Sequence, residues 1–355
     1  MHAVLRGGRD EKLLWTDLPT VVRRDVEKAL GARVTDATRV LGRFGWTPAY
    51  QLLLDDGRTA FFKGVPPDLG PRMHESTSFM QRAYDREERV YRELGDLIAA
   101  WAPRLYGSLQ SNEWKVLLLE DLGGPTLPPW TASDGRAVMG AFAEFHRSTL
   151  NETLPQWLPD PQLILGREGR AWDWAIGEAE LRLSEVASVA GARADEAQRW
   201  LREAGAFFAE LSAGYAHRGF PRALLHGDAR SDNLRWRDGR LYLFDWPHAS
   251  VGSPADDLVL FAQTIVLETD FTPEELVQWY EERCPLESRA LDAAIALRCG
   301  FFAFNAWRPD LPGLPDVRRF QRQQLCVTLR WAARRFGLSD PCWLDAVAPD
   351  LVSST

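Results

Sequence analysis

Apolar residues in this chain first recur at helical spacing, then alternate as in strands, and later return to helical spacing over long stretches. Val22, Val26 and Leu30 are four apart and Gly31 follows, which predicts a short amphipathic helix over Val21–Leu30. Strand-like runs come next: Arg39–Phe44, a turn at Gly45–Pro48, Ala49–Leu54, a tight turn at Asp55-Asp56-Gly57, and Thr59–Val65. Together they predict a β-meander. After the polar, proline-bearing stretch Pro66–Glu75, helical periodicity runs to about Leu97. Arg104–Leu109 and Lys115–Glu120 are two further strand candidates.

Gly123–Pro129 reads Gly-Gly-Pro-Thr-Leu-Pro-Pro, the expected boundary between two lobes. Residues 1–122 form the first lobe, with a connecting hinge near 120–123, and residues 123–355 form the second. Beyond the boundary helices dominate. Val138, Ala141, Phe142 and Phe145 mark one, and Ala197, Trp200, Leu201, Ala204, Phe207, Phe208, Leu211 and Tyr215 mark a longer one closed by Gly219. Leu258–Leu267, Leu291–Phe302 and Val317–Phe336 mark others. Among them lies a strand pair, Asn233–Trp236 and Leu241–Phe244, joined through Asp238-Gly239.

Composition narrows the partners. The 355 residues are 45% hydrophobic and 26% charged, ordinary for a globular protein with a sizeable core. A net charge of −8 disfavours nucleic acid and anionic membranes as partners. Cys284, Cys299, Cys326 and Cys342 form no C-x-x-C pair, so neither zinc nor a disulfide framework is expected. Met1–Asp10 is polar, without an apolar signal core, and no apolar stretch approaches membrane-spanning length. The expected setting is the cytoplasm.

The candidate chemistry lies in Leu224-Leu225-His226-Gly227-Asp228-Ala229-Arg230-Ser231-Asp232-Asn233-Leu234. Asp228 and Asn233 are five apart in a polar loop, and Asp245 follows twelve residues later at the end of an apolar run. Phosphoryl transfer needs a carboxylate to orient and deprotonate the attacking hydroxyl, and oxygen ligands for Mg²⁺. Asp228 suits the first task, Asn233 and Asp245 the second. His, Asp and Asn are common in turns, so a lone His-Gly-Asp carries little weight. Three polar positions at these offsets between apolar runs carry much more.

His-Gly-Asp-x-x-x-x-Asn, followed by an apolar run ending in Asp-Trp, resembles the aminoglycoside phosphotransferase family. The resemblance implies a bilobal, protein-kinase-like α+β fold, with a β-rich N-lobe and a mainly helical C-lobe. It implies Asp228 as catalytic base, Asn233 and Asp245 as Mg²⁺ ligands, and His226 as a brace for the loop. It also implies ATP or GTP as phosphate donor and a small-molecule hydroxyl compound as acceptor.

The upstream half is expected to hold the nucleotide. Lys63 ends the apolar run Ala60-Phe61-Phe62 and resembles the strand lysine that contacts the α- and β-phosphates. Taken alone it reads as a surface lysine. Ala83, Glu87, Val90, Tyr91 and Leu94, however, share one helix face. An acid inside an apolar stripe is costly unless paired, and Lys63 is its natural partner. Glu88 falls to the side of the stripe. Leu117–Leu122 resembles the segment joining the lobes, where backbone groups of Glu120 and Leu122 are expected at the purine edge. Gly42–Ala49 sits where a phosphate-covering turn belongs, but it is not Gly-x-Gly-x-x-Gly, and Pro48 lacks an amide donor.

The acceptor stays open. Nine acids against one base between Val251 and Glu287 could attract a polyamine-like compound such as an aminoglycoside, although a solvated helix face explains most of them. Sugars, amino alcohols and other antibiotics are equally compatible. The alternative to an active kinase is a nucleotide-binding scaffold without turnover, motivated by the irregular Gly42–Ala49 loop. A protein kinase is disfavoured because no Ala-Pro-Glu segment or long activation loop separates Asp245 from Asp257.

Overall fold

The computed structural model describes residues 13–40, 47–68, 74–161, 180–213, 215, 219–311 and 316–348. Its strands are β1 (Val34–Arg39), β2 (Ala49–Leu54), β3 (Thr59–Val65), β4 (Leu105–Ser111), β5 (Trp114–Leu119), β6 (Ala223–Leu225), β7 (Leu234–Arg237), β8 (Arg240–Leu243) and β9 (Ser250–Gly252). The first helices are α1 (Thr20–Leu30), α2 (His74–Glu93), α3 (Gly95–Ile98) and α4 (Ala132–Arg147). Then come α5 (Glu180–Ala187), α6 (Ala194–Ser212), α7 (Pro254–Val266), α8 (Pro273–Glu281), α9 (Ser288–Ala306) and α10 (Asp316–Phe336). The chain divides into two compact units. The first holds Met1–Thr126 with Arg235–His248, and the second holds most of the remainder.

The first unit is built on an antiparallel sheet of order β1-β2-β3-β5-β4. Tyr50, Leu52, Leu54, Ala60, Phe62, Trp114, Val116 and Leu118 form one core with Leu18, Val22, Val26 and Leu30. The four-residue spacing of the α1 valines therefore covers one face of the sheet. With Ala60 and Phe62 in that core, the period-two pleat sends Phe61 and Lys63 to the opposite face. There the Tyr84 hydroxyl of α2 donates to the Val116 carbonyl at 2.8 Å. Along α2, Tyr84, Glu87, Val90 and Tyr91 are buried.

β1 begins at Val34, upstream of the strand expected over Arg39–Phe44, most of which lies outside the described residues. Among the described residues β1 pairs only with β2, and none of its own residues is buried. An edge strand carrying Thr35, Asp36 and Thr38 presents no clear apolar alternation to read. The hairpin β7–β8 turns at Asp238 and Gly239, whose φ values of 51° and 72° suit a two-residue turn. The Leu243 amide donates to the Trp101 carbonyl at 2.6 Å, which docks the hairpin on the first unit.

The second unit is mainly helical. From Pro254 to Ile265 every residue of α7 is buried, as is most of α9, so these two helices run through its core. The short pair β6–β9 leads into and out of the polar loops. Gly135 of α4 lies against α8 and the residues preceding it. A Cβ there would stand 2.7 Å from Trp279 and 2.8 Å from Phe271. Alanine is the better helix former by about 1 kcal/mol, but overpacking costs about 1–3 kcal/mol. Gly135→Ala is therefore expected to lower the melting temperature, which calorimetry would check. A raised Tm would show that the two rings yield freely.

Candidate active site

Lys63, Glu87 and Asp245 meet in the first unit. The Lys63 Nζ lies 2.5 Å from Glu87 Oε2 and 2.5 Å from Asp245 Oδ1. The Glu87 side chain is 1% exposed, that of Asp245 38%. Burial pushes the Lys63 ammonium down, but the Asp245 and Glu87 carboxylates outweigh it and hold the group above its ordinary range. Burial raises the Glu87 carboxyl, and the adjacent Lys63 charge works against that rise. Lys63 is thus a fixed cation.

Asp245 reaches this cluster from the docked hairpin. Its φ is 71°, the left-handed region that costs a non-glycine residue energy. The next residue holds it there. Trp246 is fully buried and its indole N–H donates to the Leu243 carbonyl at 3.0 Å. Glu88 lies to the side of the stripe, paired with Arg92 at 3.1 Å.

The segment Glu120–Leu122 follows β5 directly. The Glu120 amide donates to the Arg104 carbonyl at 2.8 Å, so this N–H is committed to the sheet edge. Asp121 shapes the turn: it accepts the Gly123 N–H at 2.9 Å and the Gln51 side-chain amide at 2.6 Å. Most of the Gly42–Ala49 loop lies outside the described residues.

Asp228 and Asn233 meet in the second unit. The Asn233 amide nitrogen donates to the Asp228 carbonyl at 2.9 Å and to Asp228 Oδ2 at 3.2 Å. Its amide oxygen is thereby turned away from Asp228. Arg230 Nη1 lies 2.9 Å from Asp228 Oδ2, and its Nε donates to Asp232 Oδ1 at 2.8 Å. A guanidinium thus sits directly beside the candidate base.

The loop hangs on α7. Asp257 is fully buried and accepts the backbone N–H groups of His226 at 2.6 Å and Gly227 at 2.8 Å. Gly227 meets it with a φ of 81°. His146 Nε2 lies 3.3 Å from Asp257, and His146 Nδ1 lies 2.7 Å from the Tyr280 hydroxyl. Burial raises the Asp257 pKa, but the bond to His146, the charges of His146 and His226 and the Gly227 amide prevail and leave it below the usual carboxylate range. His226 is fully buried, and its Nδ1 accepts the Asp228 N–H at 3.3 Å. Farther along the loop, the Ser231 N–H donates to Thr264 at 3.1 Å and its hydroxyl to Glu268 at 2.7 Å.

The candidate residues thus fall into two groups, Lys63 with Glu87 and Asp245, and Asp228 with Asn233. Sequence reasoning missed Arg230, Asp121 and Glu268 as neighbours of these groups. It counted Asp257 among the acids between Val251 and Glu287, most of them explained by a solvated helix face, although an acid next to an apolar helix run was itself a signal of burial.

The chain matches the model of the phosphotransferase enzyme family over residues 40–298, and it belongs to that family. Membership makes it a phosphotransferase. No curated protein matches it. Among solved structures it is similar to a candidate fructosamine-3-kinase from Thermobifida fusca YX-ER1, at 17% identity and a TM-score of 0.54, over 88% of this chain and 98% of that one. A second candidate fructosamine-3-kinase, from Haemophilus somnus 129PT, is 15% identical with a TM-score of 0.50, over 86% and 97%. These likenesses are of fold, bilobal, α+β and protein-kinase-like. Among the described residues no helix is long and apolar enough to cross a membrane.

Proposed function

We propose that this protein transfers the γ-phosphate of ATP or GTP to a hydroxyl of a small molecule. Residues 1–122 serve as the nucleotide lobe and residues 123–355 as the acceptor lobe. The observation that carries the reading is Lys63, a cation fixed 2.5 Å from each of two carboxylates that lie far from it in sequence. Lys63 binds the α- and β-phosphates, and Glu87 orients it. The Glu120 carbonyl and the Leu122 amide hold the purine edge. Asp228 accepts the acceptor's proton, and the Arg230 guanidinium stabilises charge on the transferred group.

Mg²⁺ suits the residues present. Asn233 turns an amide oxygen away from Asp228, and Asp245 keeps a carboxylate partly exposed, both hard oxygen donors. Bound there, the metal would neutralise phosphate charge. The residues themselves hold the donors in place: Asp228 fixes the Asn233 amide, and the Trp246 anchor fixes Asp245.

ADP release measured over aminoglycosides, macrolides, sugars, fructosamines and amino alcohols tests the proposal. Fructosamines belong in the panel because they are named for the two structures of similar fold. Nucleotide binding without turnover on any of them would favour the scaffold. A second test is Glu87→Gln, which keeps shape and removes charge. A hydrogen bond to a charged group contributes about 1.5–3 kcal/mol, so kcat/KM for nucleotide is expected to fall about tenfold or more. Unchanged kinetics in a folded Glu87→Gln variant would remove Glu87 from the machinery.

A further inference from the structure

Glu268 stands one residue beyond the C-cap of α7, where its own N–H donates to the Ile265 carbonyl at 2.9 Å. The carbonyl end of a helix favours cations, so helix stability does not explain an acid there. Its carboxylate accepts instead from two neutral donors. The Ser231 hydroxyl donates to Oε1 at 2.7 Å and the Trp130 indole N–H to Oε2 at 3.2 Å. Ser231 belongs to the catalytic loop, and Trp130 directly precedes Thr131, the N-cap of α4.

Ser231 is the first residue of the short 3-10 turn Ser231–Asn233. The Asn233 N–H donates back to the Arg230 carbonyl at 3.0 Å, and the Asn233 side chain holds Asp228. The placing of this turn therefore sets the placing of all three groups. Two bonds from Ser231 fix it. Its N–H donates to the Thr264 hydroxyl at 3.1 Å, and that buried hydroxyl is itself oriented by donating to the Phe261 carbonyl at 2.8 Å. One bond would leave the turn free to pivot about Ser231. The second, to Glu268, removes that freedom. The start of the loop is fixed separately, where Asp257 holds the His226 and Gly227 amides. The span Asp228–Arg230 is strung between these two anchors.

We propose that Glu268 is a positioning residue for phosphoryl transfer. By gripping Ser231 it holds Asp228, Arg230 and Asn233 in their mutual geometry, and it touches neither nucleotide nor acceptor. The kinetic consequence rests on the phosphotransferase reading; the tether itself does not. A misplacement of about 1 Å can cost about a hundredfold in rate, so the effect belongs to kcat.

Steady-state kinetics and amide hydrogen exchange on the full chain test it together. Glu268→Ala is expected to lower kcat by about tenfold to a hundredfold and to leave both KM values within about twofold. Ser231→Ala is expected to match it, and the double variant to lose no more than either single, because each removes the same bond. Glu268→Gln keeps an acceptor oxygen for Ser231 and is expected to recover most of the rate. In Glu268→Ala the Ser231 and Asn233 amides are expected to exchange about tenfold faster or more, while the His226 and Gly227 amides keep the wild-type rate. Unchanged exchange at Ser231 and Asn233 would overturn the inference, and so would additive losses in the double variant. A loss carried by the acceptor KM, or a Glu268→Gln variant as slow as Glu268→Ala, would overturn it by making Glu268 an acceptor contact. Faster exchange in Glu268→Ala with no turnover by the wild type would sink the phosphotransferase reading and leave the tether standing.

Discussion

Asp228→Ala is expected to lower kcat by about a hundredfold to ten-thousandfold, the range a general base contributes. The nucleotide KM is expected to stay within about twofold, because this carboxylate serves the acceptor's proton. The loop around it explains why the loss would be catalytic rather than structural. The Asp228 side chain is 22% exposed, so its removal leaves no deep cavity. Arg230 keeps Asp232 as partner, and the Asn233 amide keeps the Asp228 backbone carbonyl. His226 and Gly227 remain tied to Asp257. Steady-state kinetics with the best acceptor, together with a melting curve, would measure both effects. A rate within about tenfold of the wild type would remove Asp228 as the base and leave its partner Arg230 as the loop's main contribution.

The two groups of candidate residues differ in what made them legible. Glu87 announced its partner because an acid within an apolar stripe has to be paired, and Lys63 lay at the end of the adjacent apolar run. The Asp228–Asn233 spacing announced a loop with a shared task. Asp245 was read as a metal ligand, and nothing in its local sequence pointed to Lys63. That contact depends on the β7–β8 hairpin docking through the Leu243–Trp101 bond, a long-range event without local signature. Arg230 was passed over because an arginine in a polar loop is ordinary. Its value comes from standing between Asp228 and Asp232, which only the fold of the loop establishes.

Element by element, the elements with a buried face were the readable ones. The α1 valines and the strands β2, β3 and β5 carry fully buried residues, and their periods follow from that. The polar edge strand β1 and the three-residue strands β6 and β9 carry too few core positions to show a period. Helix α8 was missed for a different reason: its acids drew attention to charge. Thr272, Pro273 and Glu275 nevertheless form an N-cap, a first-turn proline and a capping box, a complete start signal.

Among the acids counted between Val251 and Glu287, two are fully or nearly buried, and they give the second large effect. Asp257→Ala is expected to destabilise the protein by about 3–5 kcal/mol, since it strands two backbone N–H groups and His146 in a buried site. The Asp257 carboxyl is held below its ordinary range when folded. Its contribution is therefore full above the unfolded pKa of about 3.9 and is lost as pH falls through the lower folded value. Asp256 has the opposite sign. With its carboxyl raised to about 7, its contribution is full below the unfolded value and is lost as pH rises through neutrality. Denaturant titrations from acid to neutral pH would separate the neighbours. Asp257→Ala is expected to flatten the acid limb, and Asp256→Asn to remove the decline on approaching pH 7. A loss below about 1 kcal/mol in Asp257→Ala would mean that water satisfies the His226 and Gly227 amides, and that the catalytic loop does not depend on α7 for its shape.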